Sequence, residues 1–363
     1  MPIREESFRI GCGRYLQRAG LLKECGGEIA SLGKAPLIVG GKTALELTRE
    51  TIEKSVRKSG LRYGVEEHRG SCNRERAEEL AQRVAREGYD VIVGVGGGVL
   101  MDFAKLIGDV AHLPVINIPT SSATCAAYTP LSVCYTPEGR TVGTVHFGYE
   151  VSAVLVDTAI LAAQPTRLLL AGVFDALAKF LEIKQRYCEE SEVNPLGLDW
   201  AYHLAKRSYQ VLTEKTPGCL SDLKEGKITP AVEEIFFTAI AVTGVISGIA
   251  RGSNQTALAH KFYEGTRAMF FEESRTYLHG EIVGVGLLLQ NHFNGETEHN
   301  EFLLSLMKQY DMPSNLLEIG LTPTTAVQQQ YFEKLKAGSA IDETDPDELT
   351  RLQAGLTYLF ARR

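Results

Sequence analysis

One stretch decides the fold: Val91-Ile92-Val93-Gly94-Val95-Gly96-Gly97-Gly98 is an apolar strand pattern that ends in glycines, and it runs directly into the helix-like Leu100-Met101-Asp102-Phe103-Ala104-Lys105. Glycines at such a turn let the backbone approach a ligand, and the first N–H groups of the helix point to the same spot, where a phosphate can bind. The match to G-x-G-x-x-G is partial, because Leu100 or Met101 falls where the last glycine would be. Gly96, Gly97 and Gly98 are therefore candidates for a pyrophosphate site. A plain tight turn is the alternative that the glycines alone leave open.

Strand and helix patterns alternate on both sides of this stretch. Strand patterns occur at 36–39, 63–68, 91–95, 115–118 and 154–156, and helical patterns lie between them at 44–59, 73–87 and 99–110. Such alternation predicts βαβ units and a parallel sheet. Two further strand patterns, 131–135 and 141–147, predict a hairpin added to that sheet.

The pattern changes near residue 160, after which helical periodicity dominates. The helical patterns are 159–164, 167–188, 195–212, 230–250 and 281–293. The sequence therefore predicts two domains. An α/β dinucleotide-binding domain spans 1–160, and an all-α domain spans 161–363.

The composition and charge are those of an ordinary globular protein. Hydrophobic residues make up 44% of the chain and charged residues 23%, and a net charge of −7 without a basic patch argues against nucleic acid as a partner. The first residues lack the apolar segment of a signal peptide, and the apolar run 235–250 predicts a buried core helix rather than a membrane span. Seven scattered cysteines without a C-x-x-C pair indicate reduced thiols in the cytoplasm.

Three residues of the helical half are candidates for a metal site. Asp175 is a lone carboxylate early in an apolar helix, where its burial is costly unless it is paired or binds a metal. His260 follows Gln255–Ala259, and His279 precedes a predicted helix. One carboxylate and two imidazoles leave positions open for water or substrate, as catalytic zinc or iron(II) sites require. A helix-capping aspartate and two packed or surface histidines are the alternative.

Several runs resemble one known family, the iron-containing alcohol dehydrogenases, and within it the glycerol dehydrogenase branch. Their order and spacing extend through nearly the whole chain. The segment 123–133 looks most like the bacterial hydroxycarboxylate dehydrogenases. The runs that carry the resemblance are 94–105, 119–124, 131–133, 154–157 and 170–177.

The resemblance implies an N-terminal dinucleotide-binding domain, a helical C-terminal domain, and one divalent metal and the active site in the cleft between the domains. It assigns the metal to Asp175, His260 and His279, with zinc favoured over iron. It implies NAD(P)(H) as the cofactor, a small-molecule substrate and a homo-oligomer, with no membrane partner. The positions that match cofactor contacts of the family are Gly96, Gly97, Gly98, Val99, Asp102, Thr120, Ser121, Thr124, Thr129, Leu131 and Tyr135.

Three departures from the family bear on the substrate. Glycerol dehydrogenases carry an aspartate where this chain has Cys125, and that carboxylate contacts the polyol. Many of the iron enzymes have a histidine at the position of Lys179, four residues after the ligand aspartate. The family's second histidine, three residues after His260, is Tyr263 here. Lys179 shares a helix face with Asp175, so a cation replaces a metal ligand while Cys125 removes an anion.

These changes favour interconversion of a small hydroxy compound and its carbonyl, with a preference for 2-hydroxy and 2-oxo carboxylates. Lys179 and Cys125 would then join the metal ligands in the catalytic site. The alternative at this stage is a glycerol or other polyol dehydrogenase, in which Lys179 only pairs with Asp175 or Glu182. No protein general base is evident, so a water or a ribose hydroxyl is left to relay the proton.

The adenosine end of the cofactor site lacks an acidic residue. Sites that insist on NAD place an acid on the ribose 2′-hydroxyl, whereas here Gly40 and Lys42 follow the strand 36–39. We therefore expect NADP(H) to serve as readily as NAD(H), unless a later acid takes that role.

Two other classes of enzyme share parts of these patterns. A carbocycle-forming lyase of the dehydroquinate synthase type has the same fold and uses NAD, but it binds a phosphorylated substrate through clustered cations, for which only Lys179 and Lys261 are available. Gly40-Gly41-Lys42-Thr43 resembles the end of a Walker A loop, but Pro36 occupies the position of its leading glycine. Both are less consistent with the sequence than a dehydrogenase.

Overall fold

The computed structural model describes residues 8, 10–188, 194–250 and 255–362. Its strands are Tyr15–Arg18 (β1), Pro36–Gly40 (β2), Gly64–Glu67 (β3), Val91–Gly96 (β4), Val115–Pro119 (β5), Leu131–Tyr135 (β6), Thr141–His146 (β7) and Ala153–Asp157 (β8). The α-helices among them are Cys25–Ala30 (α1), Lys42–Lys58 (α2), Arg74–Glu87 (α3), Gly98–Ala111 (α4) and Thr158–Ala162 (α5). Six strands form one parallel sheet in the order β1-β8-β5-β4-β2-β3, which confirms the predicted α/β class.

The inner strands form a sheet because they are continuous apolar runs. Every residue of β2, β4, β5 and β8 is buried, as expected for parallel strands covered on both faces. The edge strands β1 and β3 are only half-buried. β1 is shorter and less apolar than the inner strands, and it has no strand pattern in the sequence that would predict it.

The order of strands reverses between β2 and β4. β3 pairs with the outer side of β2, while β5 pairs with the far side of β4, so the connections leave this point in opposite directions. Gly40 ends β2 and Gly96 ends β4. In open α/β sheets a ligand binds in the crevice at the carboxyl ends of the strands at such a switch point. The two glycine-containing turns therefore lie where this fold binds ligands.

The predicted hairpin is present, but its place in the sheet was predicted wrongly. β6 and β7 pair with each other as a separate two-stranded antiparallel sheet, with Leu131 opposite His146. Two hydrogen bonds join β6 to helix α4: the Ser132 hydroxyl donates to the carbonyl of Asp102, and the Val133 N–H donates to the Asp102 carboxylate. The hairpin packs on α4 and does not extend an edge of the main sheet.

After β8 and α5 the described chain contains helices joined by loops and no further strand. The helices are Thr166–Arg186 (α6), Leu196–Lys224 (α7), Pro230–Phe237 (α8), Thr243–Ala250 (α9), Leu258–Met269 (α10), Phe271–Ser274 (α11), His279–Asn294 (α12), Glu298–Gln309 (α13), Thr325–Lys336 (α14) and Pro346–Phe360 (α15). α7 extends beyond the predicted end at residue 212 and contains Pro217. The proline removes one N–H from the helix, but the turn around it remains anchored by the buried Thr216 and Cys219.

One helical stretch of the described residues, Pro230–Ala250, is long and apolar enough to cross a membrane by length and composition alone. Within it, a π-helical turn at Thr238–Val242 joins α8 to α9, and the Thr243 hydroxyl donates to the carbonyl of Thr238. Of its most apolar window, 61% is buried inside the protein. This burial is that of a core helix, as the sequence analysis predicted.

The described residues divide into two compact units. The sheet unit comprises 10–169 and 213–248, and the helical unit comprises residue 8, 170–188, 194–212, 249–250 and 255–362. The stretch 213–248 thus belongs with the sheet, although it lies beyond the predicted boundary near residue 160. Sequence order alone could not reveal this return of the chain, because 213–248 is as helical as its neighbours.

Candidate active site

A close contact between two helices of the helical unit builds the centre of the candidate metal site. Asp175 lies in the buried interior of α6, and α12 begins beside it at His279. A Cβ added to Gly280 would lie 1.8 Å from the carbonyl oxygen of Ala171, so only glycine allows the first turn of α12 to approach α6 this closely. This approach brings the ring of His279 to the carboxylate of Asp175.

His260, on α10, completes a cluster with Asp175 and His279. Asp175 Oδ1 lies 3.3 Å from Nε2 of His260 and 3.3 Å from Nε2 of His279. The possible ligand atoms of the three residues lie within 4.8 Å of one another. Two ligands at about 2.0–2.1 Å from a tetrahedral zinc ion are roughly 3.3–3.4 Å apart, so the donor set and its spacing fit a divalent cation with an open coordination position.

Glu182, which is not among the predicted site residues, also contacts the cluster. It lies on α6 and is completely buried. Its Oε2 is 2.5 Å from Nδ1 of His260, and its Oε1 accepts the backbone N–H groups of Ala257 and His260 at 2.8 Å each. The i, i+7 spacing from Asp175, which repeats a helix face after two turns, is the signal that could have identified it.

Carboxylates and imidazoles at the cluster shift the pKa values of Asp175 and His260 toward the charged forms. Burial raises the pKa of the Asp175 carboxyl, but the rings of His279 and His260 lower that pKa by more, and it lies well below its usual value. Burial lowers the pKa of His260, yet the carboxylates of Glu182 and Asp175 raise it to about 9. The carboxylates are therefore ionised, and the proton on Nε2 of His260 lies where a cation would bind.

Lys179 is buried on α6 among these carboxylates. Its ammonium lowers the pKa of the Asp175 carboxyl, after the larger effects of burial and the two histidines. It also lowers the pKa of Glu182, where burial and His260 have larger effects. The structure thus brings Lys179 to the cluster, and part of its charge offsets these two carboxylates.

His279 contacts one carboxylate, that of Asp175, and otherwise lies beside aromatic rings. Its side chain is 29% exposed, against 9% for that of His260. The ring of Tyr263 meets it edge to face at 4.2 Å between centroids, and the guanidinium of Arg267 lies over Tyr263. Arg267 in turn donates to the carbonyls of Ser274 and Tyr277. Tyr263 therefore contacts the more exposed of the two histidines.

The glycine turn of the sheet unit packs against the loop after β5. The Thr120 N–H donates to the carbonyl of Gly96, and a Cβ added to Gly98 would lie 2.9 Å from Oγ1 of Thr124. A Cβ on Gly97 would meet nothing closer than Ser121, at 4.0 Å. The structure thus brings together the three glycines with Thr120, Ser121 and Thr124. The neighbouring Val99, in the first turn of α4, is 44% exposed.

The end of β2 lies beside this turn. Gly40 pairs with Val95, and the Gly41 N–H donates to the carbonyl of Val95. Lys42 begins α2 with an exposed side chain, whose ammonium is 3.9 Å from Glu46. Gly40 and Lys42 therefore flank the switch point on the side opposite β5.

A buried lysine connects α4 to the loop that follows Thr124. Lys105 forms an ion pair of 2.9 Å with Asp102, and its ammonium donates to the carbonyls of Ala126, Thr129 and Leu131. Asp102 is buried, and its contacts are to this lysine and to the backbone of β6. A direct contact of Asp102 with the cofactor stays a prediction.

Four further predicted site residues lie in this loop or in β6. Thr129 is buried and Leu131 half-buried, and both are fixed through the carbonyls that Lys105 binds. Tyr135 lies at the end of β6, where its N–H donates to the carbonyl of Cys72. Cys125 is half-buried, and its carbonyl accepts the N–H groups of Tyr128 and Thr129. All belong to the sheet unit, whereas the metal cluster and Lys179 belong to the helical unit.

The protein combines two features: a glycine turn at the switch point of a parallel sheet, and a cluster of one carboxylate and two imidazoles. Together they are typical of a metal-dependent dehydrogenase that uses a nicotinamide cofactor. The family of iron-containing alcohol dehydrogenases matches residues 12–160. A glycerol dehydrogenase of Pseudomonas putida is 31% identical over 85% of this chain and 84% of its own. Hydroxycarboxylate dehydrogenase A of Escherichia coli is 31% identical over 69% of this chain and 68% of its own.

A solved structure agrees with the fold over almost the whole length. The crystal structure of a probable glycerol dehydrogenase from Sinorhizobium meliloti superposes with a TM-score of 0.80, at 24% identity, over 98% of both chains. The chain belongs to the iron-containing alcohol dehydrogenase family. It is an NAD-dependent dehydrogenase that acts on alcohol groups of a small-molecule substrate.

Proposed function

We propose that the protein oxidises a small polyol, and reduces the corresponding carbonyl compound, at a divalent cation held by Asp175, His260 and His279. The observation that carries the proposal is the cluster itself, in which one carboxylate oxygen lies 3.3 Å from two imidazole nitrogens. The glycerol dehydrogenase relatives support the polyol, because they match over more of the chain than the hydroxycarboxylate dehydrogenase does.

A bound cation would polarise the substrate oxygen and lower the pKa of the alcohol, while the nicotinamide would accept the hydride. The protein's own residues set the conditions for this. Asp175 supplies a negative charge, and the imidazoles supply neutral donors that leave the cluster near charge +1 once a divalent cation is bound. Tyr263, whose ring contacts that of His279, would limit the directions from which a substrate oxygen can approach this side of the cluster.

One carboxylate and two imidazoles form a donor set that catalytic zinc sites use, and zinc is the metal that we expect rather than iron. For the cofactor we propose that Gly96, Gly97 and Gly98 hold the pyrophosphate and that Thr120, Ser121 and Thr124 line the adjoining part. Lys42, exposed beside the switch point, supports use of NADP(H) as well as NAD(H), because its charge suits a 2′-phosphate. The homo-oligomer and the cytoplasmic location stay predictions.

Two departures support a second candidate, a 2-hydroxy or 2-oxo carboxylate as the substrate. Cys125 stands where glycerol dehydrogenases have an aspartate, and Lys179 lies at the cluster with a positive charge. Against this, Asp175 and Glu182 already offset the charge of Lys179. The balance of the two effects decides whether Lys179 attracts a substrate carboxylate.

A substrate panel with purified, zinc-loaded protein tests the proposal. Glycerol, a 1,2-diol, a 2-hydroxy acid and a 2-oxo acid are each followed by the absorbance of NADH and of NADPH. We expect the highest kcat/KM with a neutral polyol or hydroxy ketone, and loss of turnover after chelation with recovery on adding zinc. A tenfold or larger preference for the carboxylates would replace the polyol by the second candidate. Unchanged activity of a metal-free sample would contradict the metal site.

A further inference from the structure

Helix α10 begins without a capping side chain of its own. Its N-cap residue is Ala257, which has no side-chain oxygen to accept the free N–H groups of the first turn. Glu182 supplies that oxygen from α6, because its Oε1 accepts the N–H groups of Ala257 and His260. A buried carboxylate from another helix therefore performs the capping role, and its charge suits the positive end of the α10 dipole.

The other oxygen of the same carboxylate faces the ring of His260. Oε2 lies 2.5 Å from Nδ1, and an ionised carboxylate can only accept hydrogen bonds, so Nδ1 must carry the proton. In the neutral ring the lone pair is then on Nε2, the atom that faces Asp175. That tautomer is the one a cation at the cluster needs.

We propose that Glu182 is a positioning residue that fixes both the place and the tautomer of His260. One oxygen sets where α10 begins, and the other sets which imidazole nitrogen can donate its lone pair. This inference rests on the proposed function, since it concerns how the metal site is prepared. Partners of this kind commonly contribute tenfold to hundredfold to metal affinity.

The substitution Glu182→Gln separates the two roles of the carboxylate. Its amide oxygen can still accept the two backbone N–H groups, and its NH2 group then points at Nδ1 and donates to it. The opposite orientation of the amide would place NH2 against two N–H donors, losing two hydrogen bonds to keep one. The substitution therefore preserves the start of α10 and drives the ring proton to Nε2, away from the tautomer that binds metal.

The experiment compares the full-length wild-type protein with Glu182→Gln and with the matched control Asp157→Asn. Asp157 is also buried and accepts backbone N–H groups, from Gly20, Leu22 and Ala159, but it belongs to the sheet unit and is not a member of the cluster. Zinc affinity is measured by competition with a chromophoric chelator, and the melting temperature is measured on metal-free protein. The ring tautomer is measured by NMR on protein labelled with 15N-histidine, in metal-free samples at pH 10, with His260→Ala used to assign the resonance.

We expect Glu182→Gln to weaken zinc binding tenfold to hundredfold, to keep the melting temperature within about 3 °C of wild type, and to move the proton of His260 to Nε2. Asp157→Asn should keep the zinc affinity of wild type. Equal zinc affinity in Glu182→Gln and wild type would overturn the inference. So would an unchanged tautomer, since the affinity loss would then have a merely structural cause.

The proposed function fails in a different way. If wild type binds no zinc or other divalent cation, the metal site is refuted. The NMR comparison still decides whether Glu182 sets the tautomer of His260, because it is made without metal.

Discussion

The metal cluster of the helical unit and the glycine turn of the sheet unit are built in opposite ways. In the cluster, Asp175, Glu182 and Lys179 are charged side chains buried beside His260, and each depends on the charge of the others. In the turn, Gly96–Gly98 contribute only backbone, and the space beside Gly97 is open. A substitution in the cluster therefore changes binding, charge and stability together. A substitution in the turn changes binding alone wherever the added atoms find room in the protein.

The largest expected effect is that of His260→Ala. It removes a proposed metal ligand and takes the imidazole partner from Oε2 of the buried Glu182 carboxylate, which costs about 3 kcal/mol of unfolding free energy. Turnover and bound zinc should both be lost. The matched variant is His279→Ala, whose half-buried side chain lacks a second carboxylate. It should lose turnover and metal but keep the unfolding free energy within about 1 kcal/mol of wild type. Urea unfolding of the metal-free proteins measures the difference, and equal losses would contradict the contrast.

Gly97→Ala tests the other side of the comparison. The nearest atom to the added Cβ is 4.0 Å away, and the φ of Gly97 is −86°, so the protein itself accommodates alanine. A pyrophosphate against the turn would not, and we expect the KM for NAD(H) to rise at least tenfold with no change in zinc content or melting temperature. Gly27→Ala is the control, because a Cβ there also meets nothing within 4 Å and Gly27 lies in α1, away from the turn. An unchanged KM for NAD(H) in Gly97→Ala would contradict the proposal that the pyrophosphate binds at this turn.

Lys179→Met distinguishes a substrate-binding charge from a merely compensating one. If the carboxylates of Asp175 and Glu182 neutralise most of the charge of Lys179, the substitution should change the KM for a 2-oxo acid and the KM for a neutral carbonyl compound by similar factors, within about threefold. Lys184→Met is the control for the general effect of losing a lysine from α6. Lys184 lies on the same helix as Lys179, and its substitution breaks an ion pair with Glu296. A selective rise of tenfold or more for the 2-oxo acid would favour the carboxylate substrate.

The smallest effect is expected at Lys42, which we expect to lie beside the adenosine ribose of the cofactor. Lys42 is exposed and only weakly paired, so Lys42→Glu should leave stability and metal binding unchanged. It should lower kcat/KM for NADPH about fivefold to tenfold relative to NADH, since a carboxylate there repels a 2′-phosphate. Lys58→Glu, at the other end of α2, is the control. Equal effects on both cofactors would show that Lys42 does not reach the ribose.

The two regions also differ in how far the sequence predicted them. The glycine turn is continuous in sequence, and the apolar runs beside it have the period of buried parallel strands, so β2, β4 and β5 were predicted to within a residue or two. The metal cluster needs three distant segments. Asp175, His260 and His279 were candidates from their sequence context, and the resemblance then assigned the metal to them, because spacing of this length is not diagnostic.

What the sequence did not predict depends on packing. Nothing in the local sequence distinguishes Glu182, because its role depends on where α10 begins in the folded protein. The close approach of Gly280 to Ala171 likewise has no signature in the local sequence. The hairpin of β6 and β7 was predicted, but not its attachment to α4, because the partner of Val133 is a side chain far away in sequence. The continuation of α7 through Pro217 also ran against local preference.

The contact of Gly280 with Ala171 has a consequence for protein engineering. Neither residue is one of the three ligands, yet any side chain added at Gly280 would overlap the Ala171 carbonyl and drive α12 away from α6. His279 opens α12 and would travel with it. Gly280 thus sets the distance between His279 and Asp175 from outside the proposed metal site, and repacking around it would offer a way to change metal preference while every proposed ligand keeps its identity.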